Sequence, residues 1–228
     1  MPRPPAYKIG NDKVVGTTTP INMWDSGGKV NNLMDWSARL ATNYEIIDGV
    51  LWHNPIYWRK ARDGRGDVGT LTHAKYLYWI DPTQEEPDDS LYTLEQIKEA
   101  DYLTGLLKDW THKNPIASLA VELAMVSREH RYGGTPDIID VNNVIDVKTG
   151  FVNEFSCMLQ CASYANLAIE NDLTRDQLGG IILQPYEGQV RVYKFSPKTL
   201  AMYFPTFLNL LQTYKDGKQF EYFRKKNR

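Results

Sequence analysis

Apolar positions recur at helical spacing before Pro115 and in short β-branched runs after it. Val30, Leu33, Met34, Leu40, Ile46 and Ile47 predict a helix over 29–52. The cluster Asp63-Gly64-Arg65-Gly66-Asp67 reads as a turn, with Asp67 capping a helix from about 68 to 80. An acidic loop with two prolines spans 81–90, and Thr93 opens a helix to about 112 whose apolar face is Leu94, Ile97, Leu103, Leu106 and Leu107. Ahead of all this, Pro2, Pro4 and Pro5 mark a mobile basic arm. Val14 to Thr19 is β-like and is ended by Pro20, which cannot sustain a ladder.

After Pro115 the runs 118–127, 135–141 and 144–148 are separated by Gly133-Gly134 and Asn142-Asn143. Asparagine tolerates positive φ, so Asn-Asn is a hairpin signal and the three runs predict an antiparallel meander. A helix over 154–171 follows, then strands over 179–185 and 189–195 turning at Glu187-Gly188, a helix over 197–214 and a basic tail, 224–228. There is no internal repeat. The order predicts an α+β or mixed α/β core, a central mixed sheet flanked by helices with a helical N-terminal half.

Composition narrows the function classes. The 228 residues are 42% apolar and 24% charged, as in soluble globular proteins. No window of ~18 apolar residues offers a membrane span, and the N-terminus lacks the apolar core of a secretory signal. Cys157 and Cys161 fall short of the four thiolates of a structural zinc site or an all-cysteine iron–sulfur cluster, and suggest a reducing, cytoplasmic setting. A net charge of −2 exerts no global pull on nucleic acid, so any such binding comes from local patches. Gly27-Gly28-Lys29 is followed by valine and lacks the upstream glycine of a phosphate loop, which excludes ATP-driven translocation by this chain.

The chemistry concentrates between Glu122 and Gly150. Asp137 ends the Gly133-Gly134-Thr135-Pro136-Asp137 turn, and Asp146 lies on the next strand across the Asn-Asn hairpin. Lys148 is two residues on from Asp146, so strand alternation puts both on one face. Two carboxylates and a lysine suit a hard divalent cation, Mg²⁺ or Mn²⁺, with the lysine orienting or deprotonating a water or offsetting charge at a phosphate. Asp-x-Lys alone arises about once by chance in a chain of this length. Val144, Ile145 and Val147 lift it above chance, because they mark a buried strand where an unpartnered charge is costly.

Glu122, Gly134-Thr-Pro-Asp137, Ile145-Asp-Val-Lys-Thr-Gly150 and Gln160-Cys-Ala-Ser-Tyr164 together resemble the motif series of PD-(D/E)xK nucleases. The closest likeness is to the RecB-like branch, with its phage and mitochondrial genome maintenance exonucleases; Gly69-Thr-Leu-Thr-His73 is similar to that branch's upstream Gly-x-x-x-His helix. The resemblance spans about residues 14–200. It implies one nuclease domain: arm 1–13, helical part 14–112 carrying His73, core 115–214, basic tail 215–228. Asp137 and Asp146 would be metal ligands with the Val147 carbonyl, His73 a further ligand, and Lys148 the catalytic lysine. Glu122, which competes with Glu129 for the first acidic role, would sit near the metal. Gln160 and Tyr164, i and i+4 on one helix face, would position substrate or the lysine.

The implied activity is DNA hydrolysis from ends or single strands, in a bacterial or phage-infected cytoplasm, with a single-strand-binding or recombination protein as a partner. A structure-selective endonuclease on the same core is one alternative. A non-catalytic nucleic-acid-binding protein is the other. Trp24, Trp36, Trp52, Tyr57, Trp58 and Trp79 read mainly as core, with base stacking open for one or two. The basic run 59–65 serves equally as a phosphate contact or a solvated loop.

Overall fold

The computed structural model describes the backbone of residues 6–24, 45–47, 50–52 and 57–226 and the side chains of 6–24, 64, 66–222, 224 and 225. In place of a mobile arm, β1 (Lys8–Ile9) and β2 (Asp12–Lys13) form a hairpin turning at Gly10, and β3 (Val15–Gly16) follows. Tyr7 anchors this segment, its hydroxyl 2.9 Å from Thr135 Oγ1 and its ring against Gly133. Pro20 does not end a strand. It sits in the first turn of a helix, α1, described over 18–24, where its missing N–H is no loss.

The helix expected over 29–52 is overturned at its end, where β4 (Glu45–Ile47) pairs antiparallel with β5 (Val50–Trp52). Asp48-Gly49 between two apolar runs is a two-residue hairpin signal that outweighs the helical spacing. Residues 25–44, with Trp36, lie outside the described ones.

Helix α2 (Tyr57–Ile80) runs straight through the glycine cluster read as a turn. Asp67 therefore caps nothing and instead accepts from Gln96 Nε2 at 3.1 Å. Gln96 belongs to α3 (Leu94–Lys113), whose capping box joins it reciprocally with Thr93. A methyl built on Gly64 would lie 3.7 Å from the Gln96 amide, an ordinary contact, and one on Gly66 would meet nothing within 4 Å.

Then come β6 (Ser118–Val121), β7 (Met125–Ser127), β8 (Tyr132–Gly134), β9 (Ile138–Asp140) and β10 (Asn143–Val147). After them run α4 (Glu154–Glu170), β11 (Gly179–Tyr186), β12 (Gln189–Phe195) and α5 (Pro197–Lys226). The run expected over 118–127 is two strands in two sheets, broken at Glu122, whose φ is 47°. Gly133-Gly134, expected as a turn, lies in β8, which pairs with β3 and β7. The tail expected from 215 continues α5 as helix to Lys226.

The fold is mixed α/β. Its main sheet has the order β12-β11-β10-β9-β6, antiparallel except for the parallel pair β10–β11 that α4 connects. Both faces are covered. Ile139, Val144 and Ile182 pack against α4 and α5 on one side. Ile138, Ile145, Val147 and Leu183 pack against Tyr76 and Leu77 of α2 and Leu107 of α3 on the other. Asp146 shares the α4 side with Val144, at the end of the sheet where β10 runs out. Cys157 and Cys161 form no disulfide and are buried in the α4 layer. Among the described residues, no helix is long and apolar enough to cross a membrane.

Candidate metal and phosphate site

Alternation along β10 leaves Asp146, 3% exposed, as the one charge in its row, and α4 supplies its partner. Gln160 Nε2 donates to Asp146 Oδ1 at 3.0 Å and to Tyr164 Oη at 3.1 Å. Gln160 and Tyr164, one turn apart, thus act as a unit. The other carboxylate oxygen, Oδ2, lies 2.5 Å from Lys148 Nζ yet accepts no well-directed hydrogen bond. Asp137, just before β9, accepts from the Val147 N–H at 2.7 Å, which ties it to the strand bearing Asp146.

His73 reaches this end of the sheet from α2, with Nδ1 3.5 Å from Asp137 Oδ2. Glu122 stands beside it, its N–H donating to the Asp137 carbonyl at 3.0 Å. Glu129, the competing acid, lies elsewhere: it groups with His130 and with Glu170 at the far end of α4.

The electrostatics divide these groups. Burial acts against ionisation of Asp137, but His73, Lys148 and the Val147 N–H hold its carboxyl below the usual range. Asp146 is pushed up by burial despite Lys148. Lys148 loses by burial and gains more from Asp146 and Asp137, so its ammonium is held charged. Burial disfavours the His73 cation, yet Asp137 and Asp146 outweigh it and raise His73 above its ordinary value. Glu122 is raised by partial burial, then by Asp137. Tyr164 is pushed well up by burial and keeps its proton.

These directions fix a pH response without metal. A raised His73 stabilises below its unfolded pKa, and that contribution disappears as pH rises through the folded one. A lowered Asp137 stabilises above its unfolded pKa, and that is lost as pH falls through the folded one. The pair therefore contributes most in mildly acidic buffer. In EDTA, the melting temperature of wild type relative to His73→Asn should shrink between about pH 5 and 8, using the ordinary His pKa near 6.5 as guide. A constant difference would mean that the pair is not charged.

The donor set suits a hard divalent cation: two carboxylates and an imidazole, with Asp146 Oδ2 buried and held by Lys148 alone. As they stand, His73, Asp137 and Asp146 are not drawn into one group with all ligand atoms within 4.8 Å; among the described residues only Glu129, His130 and Glu170 are. Lys148 occupies the charge-neutralising position on Asp146, so a cation would bind as the ammonium yields Oδ2.

Sequence reasoning missed Gln184, a buried polar residue in the apolar run of β11. Its Nε2 donates to the Gly150 carbonyl at 2.6 Å and pins the loop after Lys148. Being polar within Gly179-Gly-Ile-Ile-Leu-Gln-Pro-Tyr was the available signal. Trp79 packs as expected, near-parallel to Tyr76. The side chains of Trp52, Tyr57, Trp58 and most of the basic run 59–65 lie outside the described residues. A cavity of about 610 Å³ between α2, α3 and the 81–90 loop contains none of the site residues. Its Lys75 is already bound by Asp89 and Asp101 at 2.9 and 2.6 Å.

Two solved structures are distantly similar to this chain. The crystal structure of "Putative exonuclease" from Eubacterium rectale gives a TM-score of 0.43 at 12% identity over 69% of this chain and 74% of its own. SSO0001 gives 0.33 at 15% identity over 65% and 71%. No protein-family model matches the chain, and no curated protein matches its sequence. These likenesses are distant, so the functional reading stands on the residues themselves.

Proposed function

We propose that this protein is a divalent-metal-dependent nuclease of the PD-(D/E)xK kind that hydrolyses DNA phosphodiester bonds, working from an end. The observation that carries the reading is the meeting of Asp137, Asp146 and Lys148 at one sheet end, with Gln160 holding Asp146 from α4. A scaffold that only binds nucleic acid has no need of this buried charge, which costs stability unless it serves a ligand.

Asp137, Asp146, His73 and the Val147 carbonyl would hold Mg²⁺ or Mn²⁺, which supplies Lewis acidity at the phosphate and lowers the pKa of water. Gln160 fixes the Asp146 carboxylate, and Tyr164 fixes Gln160. Lys148, held protonated, does not act as a base from its own resting state. It offsets the charge that builds on the phosphate oxygens. Glu122, its carboxyl raised, sits where it can accept a proton from water near Asp137.

The test is digestion of 5′- and 3′-labelled single- and double-stranded DNA and of a closed circle, with Mg²⁺, Mn²⁺ or EDTA. Metal-dependent loss of linear DNA alone is the expected result and gives the polarity. Cutting of the circle would move the reading to a structure-selective endonuclease. Intact DNA throughout would leave the binding scaffold.

A further inference from the structure

The loop between Lys148 and α4 carries Phe151, the third residue beyond the lysine, with 76% of its surface exposed. An exposed phenylalanine on a floppy tip would mean little, because single apolar residues on surfaces are common. This one is held out by a loop fixed on both sides. Thr149 lies against Gly69, one turn before His73 on α2, so close that a methyl built on Gly69 would come within 2.5 Å of Thr149 Oγ1. The Gly150 carbonyl is bound by Gln184, whose own Oε1 accepts from Tyr193 Oη at 3.1 Å. On the far side Asn153 caps α4 by accepting from the Ser156 N–H at 3.1 Å. One turn into α4, Phe155 packs its ring 5.1 Å from that of Trp24, which is itself half exposed.

An aromatic face displayed on a rigid loop beside a phosphate-hydrolysing site fits one occupant, an unpaired nucleobase. Bases inside a duplex have both faces taken by their neighbours and a blunt end frees only the outer face of its last pair, whereas a single strand or a frayed end offers base faces to a ring along its length. We infer that Phe151 stacks on a base of the strand being cut, next to the scissile phosphate, and so makes single-stranded ends the preferred substrate. This rests on the nuclease reading above. Stacking on a base is uniform binding, present before and during the chemical step, so its loss should appear in KM and spare kcat.

The test uses the full chain and a single-stranded oligonucleotide carrying 2-aminopurine near the cleaved end, read by cleavage in Mg²⁺ or Mn²⁺ and by fluorescence in Ca²⁺. Phe151→Ala should raise KM on the order of tenfold, with kcat within about twofold, while Phe151→Trp restores it. An abasic site at the stacked position should cost wild type a similar factor and cost Phe151→Ala nothing further. An unchanged KM in Phe151→Ala, or rescue by Phe151→Leu equal to that by Trp, overturns the inference while leaving a cleaving enzyme. A clear fall in melting temperature for Phe151→Ala would overturn it too, by showing the ring to be packed. Wild type that neither binds nor cleaves the oligonucleotide sinks the nuclease reading and this inference with it.

Discussion

Lys148→Ala is expected to cleave DNA about 10³-fold more slowly than wild type while still binding Mn²⁺, whereas Asp146→Asn loses both cleavage and cation binding. The two residues touch, yet they carry opposite charge and should fail differently. Lys148 is held as an ammonium by Asp146 and Asp137, so its use is a fixed positive charge near the phosphate. Removing it withdraws stabilisation that matters most when phosphate charge develops. Calorimetric Mn²⁺ titration should then show a site still present, with affinity falling more steeply in acid. Without Lys148, only the Gln160 amide and the weaker pull of His73 oppose the burial that already pushes the Asp146 carboxyl up. Asp146→Asn keeps the shape and the contact with Gln160 but removes the anion. It also leaves Lys148 without its nearest counter-charge, and the 31% exposure of that side chain lets it turn to solvent. Single-turnover cleavage and calorimetry on both variants decide the matter. If Asp146→Asn binds Mn²⁺ as wild type does, the site is not a metal site built on this carboxylate.

Much of this arrangement was legible in the order of residues. Val144, Ile145 and Val147 announced a strand buried on both faces; the hairpin expected at Asn142-Asn143 turns one residue earlier, at Val141-Asn142, and the pairing of Ile138 with Ile145 sets Asp137 and Asp146 at one sheet end. Thr93 announced its helix start, and the structure completes it with Gln96 in a capping box. What stayed hidden depended on neighbours remote in sequence. Glycines at 64, 66 and 133 read as turns by local rule. Yet α2 runs through the first two, and β8 carries Gly133 as strand with the Tyr7 ring lying where a side chain would be. The N-terminal arm docks through Tyr7 and Thr135, a pairing 128 residues apart that no window could reveal. Spacing put Gln160 and Tyr164 on one helix face and the resemblance implied their positioning role, but their shared hold on Asp146 needed the α4–β10 packing.

Gly134→Ala should destabilise the protein by about 1–3 kcal/mol and slow cleavage at least tenfold, although no atom of Gly134 belongs to the acid–lysine group. A Cβ built on it would lie inside van der Waals contact of the Tyr164 ring and 2.8 Å from Thr17 Oγ1. Neither neighbour has room to yield, since Tyr164 is 4% exposed and Thr17 1%. Thr17 is further tied down by donating to the Gly133 carbonyl at 3.1 Å. The added methyl must therefore push the phenol, and the phenol carries Gln160 with it. Gln160 is the residue that aims Asp146, so a steric fault in β8 reaches the carboxylate in two hydrogen bonds. Gly105→Ala is the contrast. A methyl there, in mid-α3, meets nothing within 4 Å and should leave cleavage unchanged while holding or slightly raising stability. Tyr164→Phe separates ring from hydroxyl: it keeps the packing and removes only the acceptor for Gln160, so its loss should fall between the two. Should Gly134→Ala melt early yet cleave at the wild-type rate well below its transition, the steric path from β8 through Tyr164 does not position Asp146, and Gln160 and Lys148 hold that carboxylate without help from the phenol.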